Sequence, residues 1–165
     1  MTAGVRIRRA TEEDAAAIAL AHVDSIRTLG PSYYPAETVD AWAEGLRPSL
    51  YTRAMQQGEA FFVAIGEIDG EQVVLGFSTH RVDDRLDGLA VYVRGRASRQ
   101  GIGTSLLREA EQHARSSGAT TIHILASLAG VEFWRANGFE EIERVDAPLR
   151  SGGSIPCVSM RKQLA

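Results

Sequence analysis

An apolar run at residues 89–93, Leu-Ala-Val-Tyr-Val, leads through a bend carrying Arg94, Arg96 and Arg99 into a segment that opens on Gly101 and Gly103. The residues before the bend favour an extended strand. After it, Ile102, Leu106, Ala110 and Ala114 recur at helical spacing with Leu107 alongside. Strand, turn and helix therefore follow directly on one another. Glycines at such a junction let the backbone approach a ligand closely, and the first free N–H groups of a helix, aligned with its dipole, attract anionic oxygens. The junction reads as a seat for a pyrophosphate, with three arginines adding positive charge beside it.

Two familiar phosphate loops do not fit. The dinucleotide fingerprint wants a third glycine where Leu106 stands, and the Walker loop needs Gly-Lys-Ser/Thr, with no lysine near. The block Ser98-Arg99-Gln100-Gly101-Ile102-Gly103 instead resembles the Gln/Arg-x-x-Gly-x-Gly/Ala loop of the GNAT acetyltransferases, where backbone amides grip the pyrophosphate of acetyl-coenzyme A. Ser98 replaces the long polar first residue. A later block, residues 127–139, is similar to that family's Asn-x-x-Ala-x-x-Phe-Tyr-x-x-x-Gly-Phe motif. Phe133, Gly138 and Phe139 match, while Ser127 and Trp134 stand where asparagine and tyrosine are usual.

A chain of 165 residues suits one domain spanning 1–165, large enough to bury about 68–70% of its unfolded surface. A net charge of −3 argues against a general nucleic-acid binder, so basic surface must be local. Its best candidate is residues 81–99, where Arg81, Arg85, Arg94, Arg96 and Arg99 face Asp83, Asp84 and Asp87. The first residues lack a signal-peptide apolar core and no window is apolar enough to span a bilayer, so a cytoplasmic protein without membrane contact is expected. The single cysteine, Cys157, reads as a packing residue on a late strand. His22, His80, His113 and His123 share no ligand spacing, so no metal site is expected. His22 and His123 read as satisfied core histidines, and His113 lies on the polar side of its helix.

Along the chain, residues 5–9 read as a short strand, and Thr11 followed by Glu12, Glu13 and Asp14 opens a helix to about residue 29. Gly30-Pro-Ser-Tyr-Tyr-Pro35 breaks it, a second helix carries Val39, Trp42, Ala43 and Leu46, and residues 49–57 add a turn or two. Residues 60–68, 72–82 and 86–93 form an antiparallel meander whose first turn is Asp69-Gly70. The long helix, a buried strand at 120–126, a short helix at 131–137 ended by Gly138, and strands at 139–145 and 155–162 complete the order.

That order matches the GNAT layout, an α/β fold in which a mixed, mostly antiparallel sheet carries helices on both faces. The resemblance covers essentially the whole chain. It implies that the strand before the loop splays from the strand after the long helix and that acetyl-CoA enters the wedge. By carry-over, Val91, Tyr92 and Val93 would meet pantetheine, and the amides of Arg99, Gln100, Gly101, Ile102, Gly103 and Thr104 would hold the pyrophosphate. Ser127, Phe133 and Trp134 would line the far side. The implied chemistry is direct N-acetyl transfer to a small amine, a peptide N-terminus or a lysine. Indole cannot donate the thiolate's proton as the usual tyrosine does, which leaves another hydroxyl such as Tyr92, a water, or a thiolate that departs unaided. Asp87 and His80 are candidate bases, and Tyr33, Tyr34 and Trp42 candidate substrate contacts. An acyl-CoA sensor without catalysis is the alternative. A monomer or homodimer is equally compatible.

Overall fold

The computed structural model describes residues 4–164. Seven strands form one sheet in the order β1-β2-β3-β4-β5-β7-β6, and every neighbouring pair is antiparallel except β4 and β5. The strands are β1 (Arg6–Arg9), β2 (Ala60–Ile68), β3 (Glu71–Asp83), β4 (Leu86–Val93), β5 (Thr121–Ser127), β6 (Glu140–Pro148) and β7 (Ser154–Gln163). The mixed, mostly antiparallel sheet expected from the sequence is the one observed, with helices on both faces.

The helices are α1 (Ala15–Leu29), α2 (Ala36–Ala43), α3 (Pro48–Gln56), α4 (Ile102–Ser116) and α5 (Val131–Ala136). Pro48 begins α3 at a position where its missing N–H is no loss, and the segment expected to add a turn or two is a nine-residue helix. Both hairpin turns of the meander place two consecutive residues at positive φ, Asp69-Gly70 and Asp84-Arg85. That geometry matches the twist of the flanking strands.

Alternation along the strands sorts the core. One face of the sheet packs Ile18 of α1 and Tyr51 of α3 against Phe61, Val63 and Phe77. The opposite face packs Leu107, Ala110 and Ala114 of α4 and Trp134 of α5 against Leu89, Ile122, Ile124 and Met160. Burying each large aliphatic or aromatic side chain contributes ~1.5–3 kcal/mol. Every strand but one pair is laddered along its length. Between β4 and β5 only Asp87↔Ile122 and Gly88↔His123 pair, and then the strands part.

Candidate active site

The parting of β4 from β5 leaves main-chain groups of residues 89–93 without ladder partners on the side turned away from β3. Buried backbone groups of this kind require a partner, so a fork in a sheet is an acceptor for something that carries amides. Beyond the fork lies the start of α4. Gly101 precedes it at φ +80°, a left-handed conformation that glycine adopts without strain, and no side chain caps the helix. Its first backbone bond runs from Ser105 N–H to Gly101 O. The N–H groups just ahead of it point outward at the positive end of a fifteen-residue helix. A side chain on Gly103 would meet Phe133 Cε1 at 3.0 Å, so glycine here lets α4 seat against α5.

A cleft of about 510 Å³ occupies the fork and the mouth of α4. Val91, Tyr92, Val93, Arg99, Gly101, Gly103, Thr104, Ser127, Phe133 and Trp134, all singled out from the sequence, line it together. Gln100 and Ile102 do not. Gln100 is exposed and its amide donates to Arg96 O, and the Ile102 side chain is buried in the core, so only its N–H belongs to the helix mouth. The three arginines of the bend separate by role. Arg94 donates through its backbone N–H and Nε to Leu75 O and Val74 O, and Arg96 forms a two-pronged pair with Asp69 at 2.8 and 3.0 Å. Arg99 alone of the three borders the cleft.

A second cavity, about 590 Å³, lies on the α1–α3 face. His22, Tyr51, Phe61, Phe77 and Tyr92 furnish its aromatic wall, with His123 from β5 and Arg150 from the loop between β6 and β7. Leu89, Ala90, Tyr92 and Leu125 border both cavities, so the two meet at the fork. Burial, with a smaller contribution from Cys157, pushes the Tyr92 phenol up to about 12. Burial and the Arg150 guanidinium push His22 down to about 3.

A sequence model describing the acetyltransferase (GNAT) family matches residues 23–139. The chain belongs to the GNAT acetyltransferase family. Solved structures share its fold. A GCN5-related N-acetyltransferase from Rhodopseudomonas palustris superposes with a TM-score of 0.82 at 24% identity, over 99% of this chain and 98% of that one. The PaiA N-acetyltransferase from Thermoplasma acidophilum, in complex with coenzyme A, gives 0.75 at 21% identity over 99% of both chains. YncA from Salmonella typhimurium, with acetyl-CoA, gives 0.68 at 20% identity over 99% and 95%. No curated protein sequence matches. No helix among the described residues is long and apolar enough to cross a membrane.

Within this GNAT frame the remaining sequence candidates divide. His80 is 3% exposed and faces α4, where its Nε2 lies 2.7 Å from Asp87 Oδ1 and its Nδ1 lies 2.8 Å from His113 Nδ1. The Asp87 carboxylate thus turns to a buried histidine, while the residue also borders the second cavity. His113, expected on a polar helix side, ends this chain of three, and burial and His80 lower its pKa. Tyr33, 53% exposed, and Trp42 border the cleft at the fork and the mouth of α4. Tyr34 borders neither cavity; its hydroxyl donates to Pro156 O at 2.6 Å and accepts from Leu128 N–H at 2.8 Å. Trp134, 6% exposed, packs edge-on against Phe133 and Phe139 and also borders the cleft.

His22 and His123 depart from expectation. Each keeps one buried ring nitrogen, His22 Nε2 and His123 Nδ1, without a hydrogen-bond partner among the described residues. His22 Nδ1 is 2.8 Å from Tyr51 Oη, and its ring lies 4.0 Å from that of Tyr92. Sequence reading had no signal for these sites, because His22 lies on the buried side of α1 and its neighbours come from segments 29 to 70 residues away.

Proposed function

We propose that this GNAT protein transfers the acetyl group of acetyl-CoA to an amine by direct attack in a ternary complex. The observation that supports this most strongly is the fork at Gly88 and His123, flanked by an uncapped glycine-led helix start and shared by two cavities. Fork, helix mouth and Arg99 suit a ligand with a diphosphate at one end and amides along its length. The N–H groups of residues 99–104 and the Arg99 guanidinium would take the phosphates, and the free edge of residues 89–93 the pantetheine amides. Bound acetyl-CoA supplies an activated thioester.

The acceptor would approach from the second cavity. Its nitrogen forms a C–N bond to the acetyl carbon while the C–S bond breaks, one amine proton is released, and the departing sulfur takes up a proton. Tyr92 borders both sides of the fork and is held protonated well above neutral pH, which suits a donor to that sulfur. Trp134 supplies no such proton and fixes the far wall by packing. Asp87 is assigned a positioning role through His80 at the root of the fork.

Calorimetry with coenzyme A and a thiol-release assay with acetyl-CoA and an amine panel test the proposal. Coenzyme A should bind and free thiol should appear with at least one amine. Tight binding with no thiol release for any amine would support the sensor reading, which the indole in place of a hydroxyl favours; no binding would overturn both.

A further inference from the structure

The charges around the second cavity are not evenly spread. Glu59, Arg81, Asp83, Asp84, Asp87 and Arg150 border it. Asp87 is engaged by His80, and Arg81 is paired with Asp83 at 2.9 Å. Arg150 has no hydrogen bond or ion pair among the described residues. It stands on a short closed loop: Leu149 N–H donates to Gly153 O, Gly152 N–H to Leu149 O, and Ser151 Oγ to Ala41 O at 2.6 Å on α2. The guanidinium is therefore carried to the cavity by a tethered segment.

Its field reaches the floor. Arg150 opposes protonation of His22 and favours ionisation of Tyr51, and Arg81 acts in the same sense on Tyr92. The floor where the acceptor meets the fork is apolar and aromatic, with the guanidiniums of Arg81 and Arg150 beside it.

We propose that the second cavity receives an amine that also carries an anionic group, with the anion paired to Arg150 and the amine turned toward Tyr92 and the fork. This rests on the acetyl-transfer reading above and names its substrate class. Arg150 welcomes the anion while burial among the aromatic rings disfavours an ammonium, so the bound amine is shifted toward its free base, the form that attacks a thioester. That removes the need for a strong base in the wall. The two ring nitrogens without partners, His22 Nε2 and His123 Nδ1, add hydrogen-bonding capacity that the protein itself leaves unused.

The test sets amino acids, taurine and aminoalkylphosphonates each against the amine of the same skeleton without its anion, with acetyl-CoA and thiol release as readout. At least one anionic acceptor should show a kcat/KM about 100-fold above its counterpart. Arg150→Gln should abolish that preference mainly through a raised acceptor KM, and Arg150→Lys should restore part of it. Coenzyme A affinity measured by calorimetry should not change in either variant. Preference for anion-free amines, a preference that survives Arg150→Gln, or coenzyme A binding without turnover of any anionic acceptor overturns the proposal. Failure of the unaltered chain to bind coenzyme A overturns the acetyl-transfer reading beneath it instead.

Discussion

The two cavities that meet at the fork are made of different material. The cleft on the α4 side takes much of its lining from one stretch, residues 89–104, with backbone at its centre: an unladdered strand edge and a helix start without a cap. The cavity on the α1–α3 face is made largely of side chains that many separate segments deliver, among them His22, Tyr51, Phe77, Tyr92, His123 and Arg150. A site built from main chain depends on glycine and register. A site built from side chains depends on which residue each distant segment contributes, and so is free to vary while the first stays constant.

The strongest way to break this comparison is to put side chains into the backbone site. Gly101→Val forces a β-branched residue to φ +80°, and Gly103→Val drives atoms into Phe133. The double variant should lose at least ~100-fold in coenzyme A affinity by calorimetry, about 2.7 kcal/mol. An unchanged affinity would mean that main chain does not hold the cofactor.

Tyr92 stands where the two sites join. Tyr92→Phe keeps the ring against His22 and Phe77 but removes the hydroxyl, and should lower kcat about 30-fold with little change in the KM for acetyl-CoA. Equal losses in coenzyme A affinity would make it a packing residue of the cleft instead.

The side-chain site should also be the more acid-sensitive. His22 titrates near 3 when folded and near 6.5 when unfolded, so the unfolded chain binds the extra proton between those values. Stability from this group is complete above about pH 6.5 and falls as pH is lowered, by about 2 kcal/mol at pH 5 relative to pH 7. Urea titrations at the two pH values measure it, and His22→Gln should flatten the difference.

Two smaller effects sharpen the boundary between the sites. Tyr34→Phe leaves Leu128 N–H and Pro156 O without their shared partner and should cost ~1–2 kcal/mol of stability with coenzyme A affinity unchanged. Arg99→Ala should weaken coenzyme A binding about fivefold, whereas Arg96→Ala should not, because Arg96 is held by Asp69 on the meander's first turn. Reversed effects would exchange the roles of the two arginines.

The same contrast explains how far the sequence could be read. The fold and the family were legible because they rest on periodicity, on Asp69-Gly70, and on the glycine-led start of α4, all local signals. Ten of the residues proposed to hold the cofactor lie together in one cleft. Contacts among side chains were not legible. Nothing local says that Tyr34 clamps β7 to the turn after β5, that Asp87 and His113 bracket His80, or that Arg150, from the loop after β6, reaches the same cavity as His22. Those juxtapositions depend on strand order and on which face each residue takes.

One pair of rungs, at Asp87 and Gly88, is all that joins β4 to β5. Amide hydrogens along the inner rim beyond that junction have nothing to shield them in the empty protein, so in deuterated water they should swap for deuterium early, while those of the same strand bonded to β3 stay slow. Filling the gap would silence the fast set alone, giving occupancy a spectroscopic signature that needs neither turnover nor a known acceptor.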